Sequence, residues 1–160
     1  MTTDTLMLQM PAPHTVPATP PLMQRLVAEF GAAWVRDTPD QPFLAAQGDC
    51  VLFIAGDPVR FPECLDVAVV LPELHRAFER SFRIAIAERD CEDALARRYA
   101  ATRRPALVFL RGGQYVATVS GMLDWDDYLR EVARVLLLPV SRVPGIGIPL
   151  VAAASGAACH

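Results

Sequence analysis

Residues 102–121 read TRRPALVFLRGGQYVATVSG, and this stretch limits the possible folds more than any other. Residues 106–111 are an apolar strand candidate and Gly112-Gly113 is a hairpin turn signal. Residues 114–120 then alternate polar and apolar side chains as a half-buried strand does. The stretch therefore predicts a β-hairpin entered through a proline. Pro105 has no amide hydrogen to donate to a ladder, so it belongs at the first position of the strand, and it pushes Arg104 into an extended conformation. Backbone groups around Arg104-Pro105 are then expected to stay open on one side.

The elements before the hairpin follow from periodicity and topology. Leu22, Met23, Leu26, Val27, Phe30, Ala33 and Trp34 recur at helical spacing, which predicts a first helix after Pro20-Pro21 that includes Ala33 and Trp34. The polar, Pro-broken residues 37–49 lead to residues 50–55, CVLFIA, a fully apolar run that fits a central strand and ends at Gly56-Asp57-Pro58. Residues 66–80 fit a buried strand or a helix on periodicity alone. Residues 82–87 also read as a buried strand, and parallel neighbours need a crossover of about this length, so topology selects the helix. Pro72 is expected to kink it by removing one intrahelical hydrogen bond.

Asp90 is expected to cap a helix over residues 91–101, with Leu95 and Tyr99 one turn apart on its inner face. Asp124 is expected to cap the last helix, where Trp125, Tyr128, Leu129, Val132, Val135 and Leu136 form one stripe facing the sheet. This stripe predicts Trp125 as a core residue. Pro139 stops the helix.

A chain of 160 residues, 52% hydrophobic, suffices for one domain with a real core. Residues 21–138 form that domain. Residues 1–20, with Pro11, Pro13, Pro17 and Pro20, are predicted to be a flexible tail. Residues 139–160 are predicted to be a flexible apolar tail, with the alternative that residues 146–151 add to a groove or sheet edge as an extended peptide. A net charge of −3 excludes a general nucleic-acid binder. No apolar run is long enough to span a membrane and no basic stretch precedes an apolar one at the N-terminus, so a cytoplasmic protein without membrane insertion is expected.

Cys50, Cys64, Cys91 and Cys159 are spread without a C-x-x-C, and the histidines do not cluster, so neither a disulfide framework nor a metal or other cofactor is expected. Cys50 and Cys91 sit where free cysteine serves as a small hydrophobe, although Cys91, opening a helix, is also a candidate thiol. Cys159-His160 offers too few ligands for a stable metal site. His14 and His75 have no evident partners, and His75 is expected on the solvated face of its helix. Arg97, Arg98, Arg103 and Arg104 form the main basic cluster; acidic residues gather at Asp57, Glu63 and Asp66 and again at Asp124, Asp126 and Asp127.

The order of a helix, a short basic link, an X-Pro step, an apolar strand, a Gly turn, a second strand and a final amphipathic helix resembles the C-terminal half of thioredoxin. The resemblance implies a thioredoxin-like α/β fold with a central mixed β-sheet flanked by helices, in which Pro105 is cis and its neighbour's backbone faces the substrate. Counting back from Pro72 as if it were thioredoxin's helix proline puts Cys64 at the nucleophile position and Val67 at the resolving position. A dithiol cycle cannot run on Cys64 alone. Glu63 and Asp66 beside it would raise its pKa.

GDP (56–58), RFPE (60–63), DVAVVLPEL (66–74), PALVFLRGGQY (105–115) and DWDDYL (124–129) narrow the resemblance further. They resemble the hydrogenase expression proteins called HyaE, HupG or HoxO. That resemblance implies a non-catalytic assembly chaperone for an uptake [NiFe] hydrogenase. Its implied client is the iron-sulfur small subunit precursor, held before twin-arginine export through its signal peptide or around its cluster cysteines, with other hydrogenase accessory proteins as further partners. The client surface is then expected beyond the central strand, where Asp57, Arg60, Glu63 and Asp66 face Arg104 and Pro105 and the acidic groups steer a basic client. The alternative is a monothiol oxidoreductase using Cys64.

Overall fold

The computed structural model describes residues 19–145. The expectations for residues 1–18 and 146–160, including His14 and Cys159-His160, lie outside the described residues. In chain order the elements are α1 (Pro21–Phe30), β1 (Ala33–Val35), α2 (Pro42–Ala45), β2 (Asp49–Ile54), α3 (Glu63–Ala77), β3 (Phe82–Ala87), α4 (Glu92–Arg98), β4 (Ala106–Arg111), β5 (Gln114–Ser120) and α5 (Trp125–Leu136). The strands form one mixed sheet in the order β1-β3-β2-β4-β5. β2 pairs parallel with β3 and antiparallel with β4, so it is the central strand.

Strand alternation explains why β2 is apolar throughout. Val51 and Phe53 enter a core with Met23, Leu71, Phe109 and Val132, while Cys50, Leu52 and Ile54 enter a second core with Leu44, Leu95 and Val108. Both faces of the strand are covered, which removes the polar half of the usual alternation. Helices α1, α3 and α5 cover the first face, and the short α2 and α4 cover the second. Among the described residues no helix is long and apolar enough to cross a membrane.

The hairpin and β3 form with the boundaries read from the sequence. The crossover between β2 and β3 is helical, with Pro72 inside α3 and buried. Other expectations are corrected. The first helix stops at Phe30 against a left-handed Gly31, and Ala33 and Trp34 belong to β1, which pairs parallel with β3. α3 starts at Glu63 rather than residue 66, directly after Pro62, whose fixed φ suits a helix start.

Asp90 does not cap α4. Cys91 occupies the cap position without a side-chain cap bond, because the Asp90 carboxylate is held by Arg36 at 2.5 Å. Asp124 holds the cap position of α5 but makes no side-chain cap bond. Trp125 is not core: it is 42% exposed, whereas Tyr128, Val132 and Val135 are fully buried. The helix first meets the sheet one turn in, at Tyr128. His75 is half-buried rather than solvated, its ring 5.2 Å from that of Phe82, and burial lowers its pKa.

The chain beyond α5 is tied back to the hairpin. Arg111 donates to the carbonyls of Leu138 at 2.6 Å and Leu136 at 3.0 Å. Ser141 donates its amide to the Tyr115 carbonyl at 2.7 Å, and Val143 packs on the second core.

Candidate functional site

Three segments meet at Gly56, just beyond β2. Its φ is +83°, and a Cβ there would lie 2.7 Å from Phe61 Cδ2 and 3.1 Å from Cβ and Cγ of Arg104. Only glycine combines that backbone with such close approach. The Gly56 amide donates to Glu92 Oε1 at 3.0 Å, and the Ala55 amide donates to the same oxygen at 3.2 Å. Glu92, in the first turn of α4, is 6% exposed. Burial pushes its carboxyl above the ordinary range, opposed by the Gly56 amide and by Arg89 and Arg104.

The surrounding charges hold the loop after β2 in place. Arg89 donates to the Gly56 carbonyl at 3.0 Å and pairs with Asp57 at 3.1 Å. The Asp57 carboxylate accepts the Val59 amide at 2.9 Å, and that bond, helped by Arg89, lowers its pKa. Arg104 donates to the Ala101 carbonyl at 2.7 Å and reaches Asp93 at 3.3 Å. Arg60 lies over the Phe61 ring, 5.5 Å from its centroid.

Together these groups enclose a cavity of about 600 Å³, whose wall carries Arg60, Arg89, Arg103 and Arg104 against Asp57, Glu92 and Asp93. Of the residues expected to face a client, Asp57, Arg60 and Arg104 are brought together here. Pro105, buried next to Arg104, follows a cis peptide bond. Its carbonyl is not open, since it accepts the Gly121 amide at 2.8 Å. Glu63 and Asp66 stand apart, both exposed in the first turn of α3 and outside the cavity wall. The cavity is therefore a mixed-charge pocket with an acidic helix turn outside it.

Cys64 follows Glu63 but points into the core and is fully buried. Burial first, then the Glu92 charge, pushes its thiol up to about 11. Burial likewise pushes Cys50 to about 11. Cys91 is half-buried with its thiol also raised by burial, and its Sγ lies 3.3 Å from the Glu88 carbonyl. Among the described residues no group of three or more His, Cys, Asp and Glu is placed to hold a metal ion.

Glu92 and Arg89 carry no local signal that singles them out in the sequence. Glu92 is an acid in a first helical turn, where the dipole favours one on any surface helix. The fold alone, by setting the start of α4 against the end of β2, distinguishes it.

Comparison with known proteins agrees with this architecture. A mutant thioredoxin from Halobacterium salinarum superposes over 71% of this chain and 94% of its own with a TM-score of 0.50 at 21% identity, so the fold is thioredoxin-like. A putative hydrogenase expression/formation protein hupG from Rhodopseudomonas palustris matches at 33% identity over 65% of this chain and 94% of its own, with a TM-score of 0.47. Among curated proteins, the hydrogenase expression/formation protein HoxO of Cupriavidus necator is 57% identical over the full length of both chains. HupG of Rhodobacter capsulatus is 34% identical, covering 78% of this chain and 93% of its own. The family model described as hydrogenase-1 expression protein HyaE matches residues 22–128, two thirds of the sequence. The chain thus belongs to the HyaE family of hydrogenase expression/formation proteins.

Proposed function

We propose that the protein is a non-catalytic assembly factor in hydrogenase maturation. Its proposed client is the iron-sulfur small subunit precursor of an uptake [NiFe] hydrogenase, bound in the cytoplasm before twin-arginine export. The observation that carries this reading is the contrast at the end of β2: Cys64, at thioredoxin's nucleophile position, is sealed in the core, while the surface nearby is a cavity rich in hydrogen-bond donors. Arginines held by backbone carbonyls can donate to the carbonyls of an extended client segment without reorganising. Asp57, with Glu63 and Asp66 beside the cavity, supplies acidic steering for a basic client.

A buried thiol of high pKa speaks against the monothiol alternative, because the thiolate is the attacking species. The test is affinity capture from cells that carry a hydrogenase operon, with mass spectrometry of what is bound. Recovery of the small subunit precursor is the expected result. Recovery of mixed disulfides through Cys64, with no precursor held noncovalently, would favour the thiol enzyme instead.

A further inference from the structure

The turn between β5 and α5 carries an apolar patch that the fold leaves uncovered. Met122 is 41% exposed and Trp125 42% exposed, three residues apart in sequence. The patch is rigid. The Gly121 amide is bonded to the Pro105 carbonyl at 2.8 Å, and the buried Tyr128 hydroxyl donates to the Gly121 carbonyl at 2.9 Å and lies 3.8 Å from the Met122 sulfur. Leu123, between the two exposed residues, packs against the core. An exposed tryptophan on a turn fixed in this way has the character of an interface anchor.

The charges around the patch select its occupant. Asp124 and Asp126 are exposed, and neither forms an ion pair among the described residues, whereas Asp127 is paired with Arg130. The helix dipole explains why acids stand in this turn, but it leaves their outward faces uncompensated. Arg103, whose Nη2 lies 3.6 Å from where a Gly121 Cβ would sit, marks the boundary with the arginine-rich cavity. A second copy of a chain with net charge −3 would set these carboxylates near their own kind. Residues 146–160 contain no Arg or Lys.

We propose that Met122 and Trp125, flanked by Asp124 and Asp126, dock a client segment that is both cationic and apolar. Its arginine or lysine side chains lie on the Trp125 ring and beside the two carboxylates, and its apolar side chains cover Met122. The proposal rests on the client-binding reading above and extends that surface from the cavity, across Gly121, to α5.

The chain has two tryptophans, so a Trp34→Phe variant leaves Trp125 as the sole emitter. The probe is a blocked peptide of two arginines followed by leucines and alanines, and the control carries glutamates in place of the arginines. The expected result is a saturable blue shift with the arginine peptide alone, weakened at least about fivefold by Asp124→Asn with Asp126→Asn. A shift with both peptides, no shift, or unchanged affinity in the Asn variant overturns the proposal. A blue shift that grows with protein concentration without peptide assigns the patch to a second copy and also overturns it. So does a red shift on removal of residues 146–160, which assigns it to the tail.

The full client separates this inference from the one it rests on. Trp125→Ala is expected to weaken capture of the small subunit precursor about tenfold. Unchanged capture, with the fold intact by circular dichroism, sinks the docking surface and leaves the proposed function standing. If the wild type captures no precursor while the arginine peptide still shifts Trp125, the function fails and the surface survives as a binding site.

Discussion

Glu92 accepts the Gly56 amide at 3.0 Å across 36 residues of sequence, tying the start of α4 to the end of the central strand. Removing the acceptor leaves two amides, those of Ala55 and Gly56, without partners in a buried place. Glu92→Ala is expected to cost about 1 to 3 kcal/mol per orphaned amide at most, measured by urea unfolding.

The Glu92 carboxyl also sets a pH dependence. Burial raises its pKa in the folded state above the ordinary 4.5. A carboxyl raised on folding holds its proton more tightly in the folded chain, so its contribution is complete below the unfolded value and is lost as pH rises through the folded one. Glu92→Gln cannot titrate. Relative to the variant, the wild type is expected to lose stability as pH rises from the ordinary carboxyl value of 4.5 through the raised value of the folded chain. A constant difference across that range contradicts the assignment.

Gly56→Ala tests the meeting point of the three segments. The new Cβ would meet Phe61 Cδ2 at 2.7 Å on a backbone with φ of +83°. A loss of about 1 to 3 kcal/mol is expected from the backbone strain, with the Phe61 and Arg104 side chains displaced. Stability equal to wild type would mean that the loop shifts freely.

How much of this is legible in the sequence depends on the range of the forces involved. The hairpin can be read because Pro105, Gly112-Gly113 and the alternation of residues 114–120 are local signals. Residues 66–80 need topology, since VAVVL suits a strand as well as a helix. β1 escapes a sequence reading because three residues carry no period, and pairing with β3 rather than propensity makes Ala33–Val35 extended. Asp90 has the local signature of a cap, but a distant Arg36 claims it. Trp125 departs from its expected environment because a helical wheel shows which residues share a face, not where the partner surface begins.

Trp125 and Tyr128 should respond differently to truncation. Trp125→Ala, at an exposed position, is expected to change stability by less than about 1 kcal/mol. Tyr128→Phe removes the hydroxyl that holds the Gly121 carbonyl and is expected to cost about 1 to 2 kcal/mol. Thermal unfolding of both variants checks the order.

Thiol labelling tests the claim that Cys64 is inert. Burial pushes the Cys64 thiol up to about 11, which keeps it protonated at neutral pH, and burial blocks access further. Iodoacetamide is expected to modify Cys91 before Cys50 and Cys64, which react only on unfolding, as read by peptide mass mapping. Insulin reduction above that of a cysteine-free variant would contradict this account.

The most direct measurement is calorimetric titration of the purified small subunit precursor into the wild type and into a variant combining Asp57→Asn, Glu63→Gln and Asp66→Asn, at two ionic strengths. These changes keep side-chain shape and remove only charge. Saturable binding by the wild type is predicted, with weaker binding and a flatter salt dependence in the variant. No binding by the wild type, or the same affinity and salt effect in both proteins, would contradict the assignment of a client surface to the end of β2.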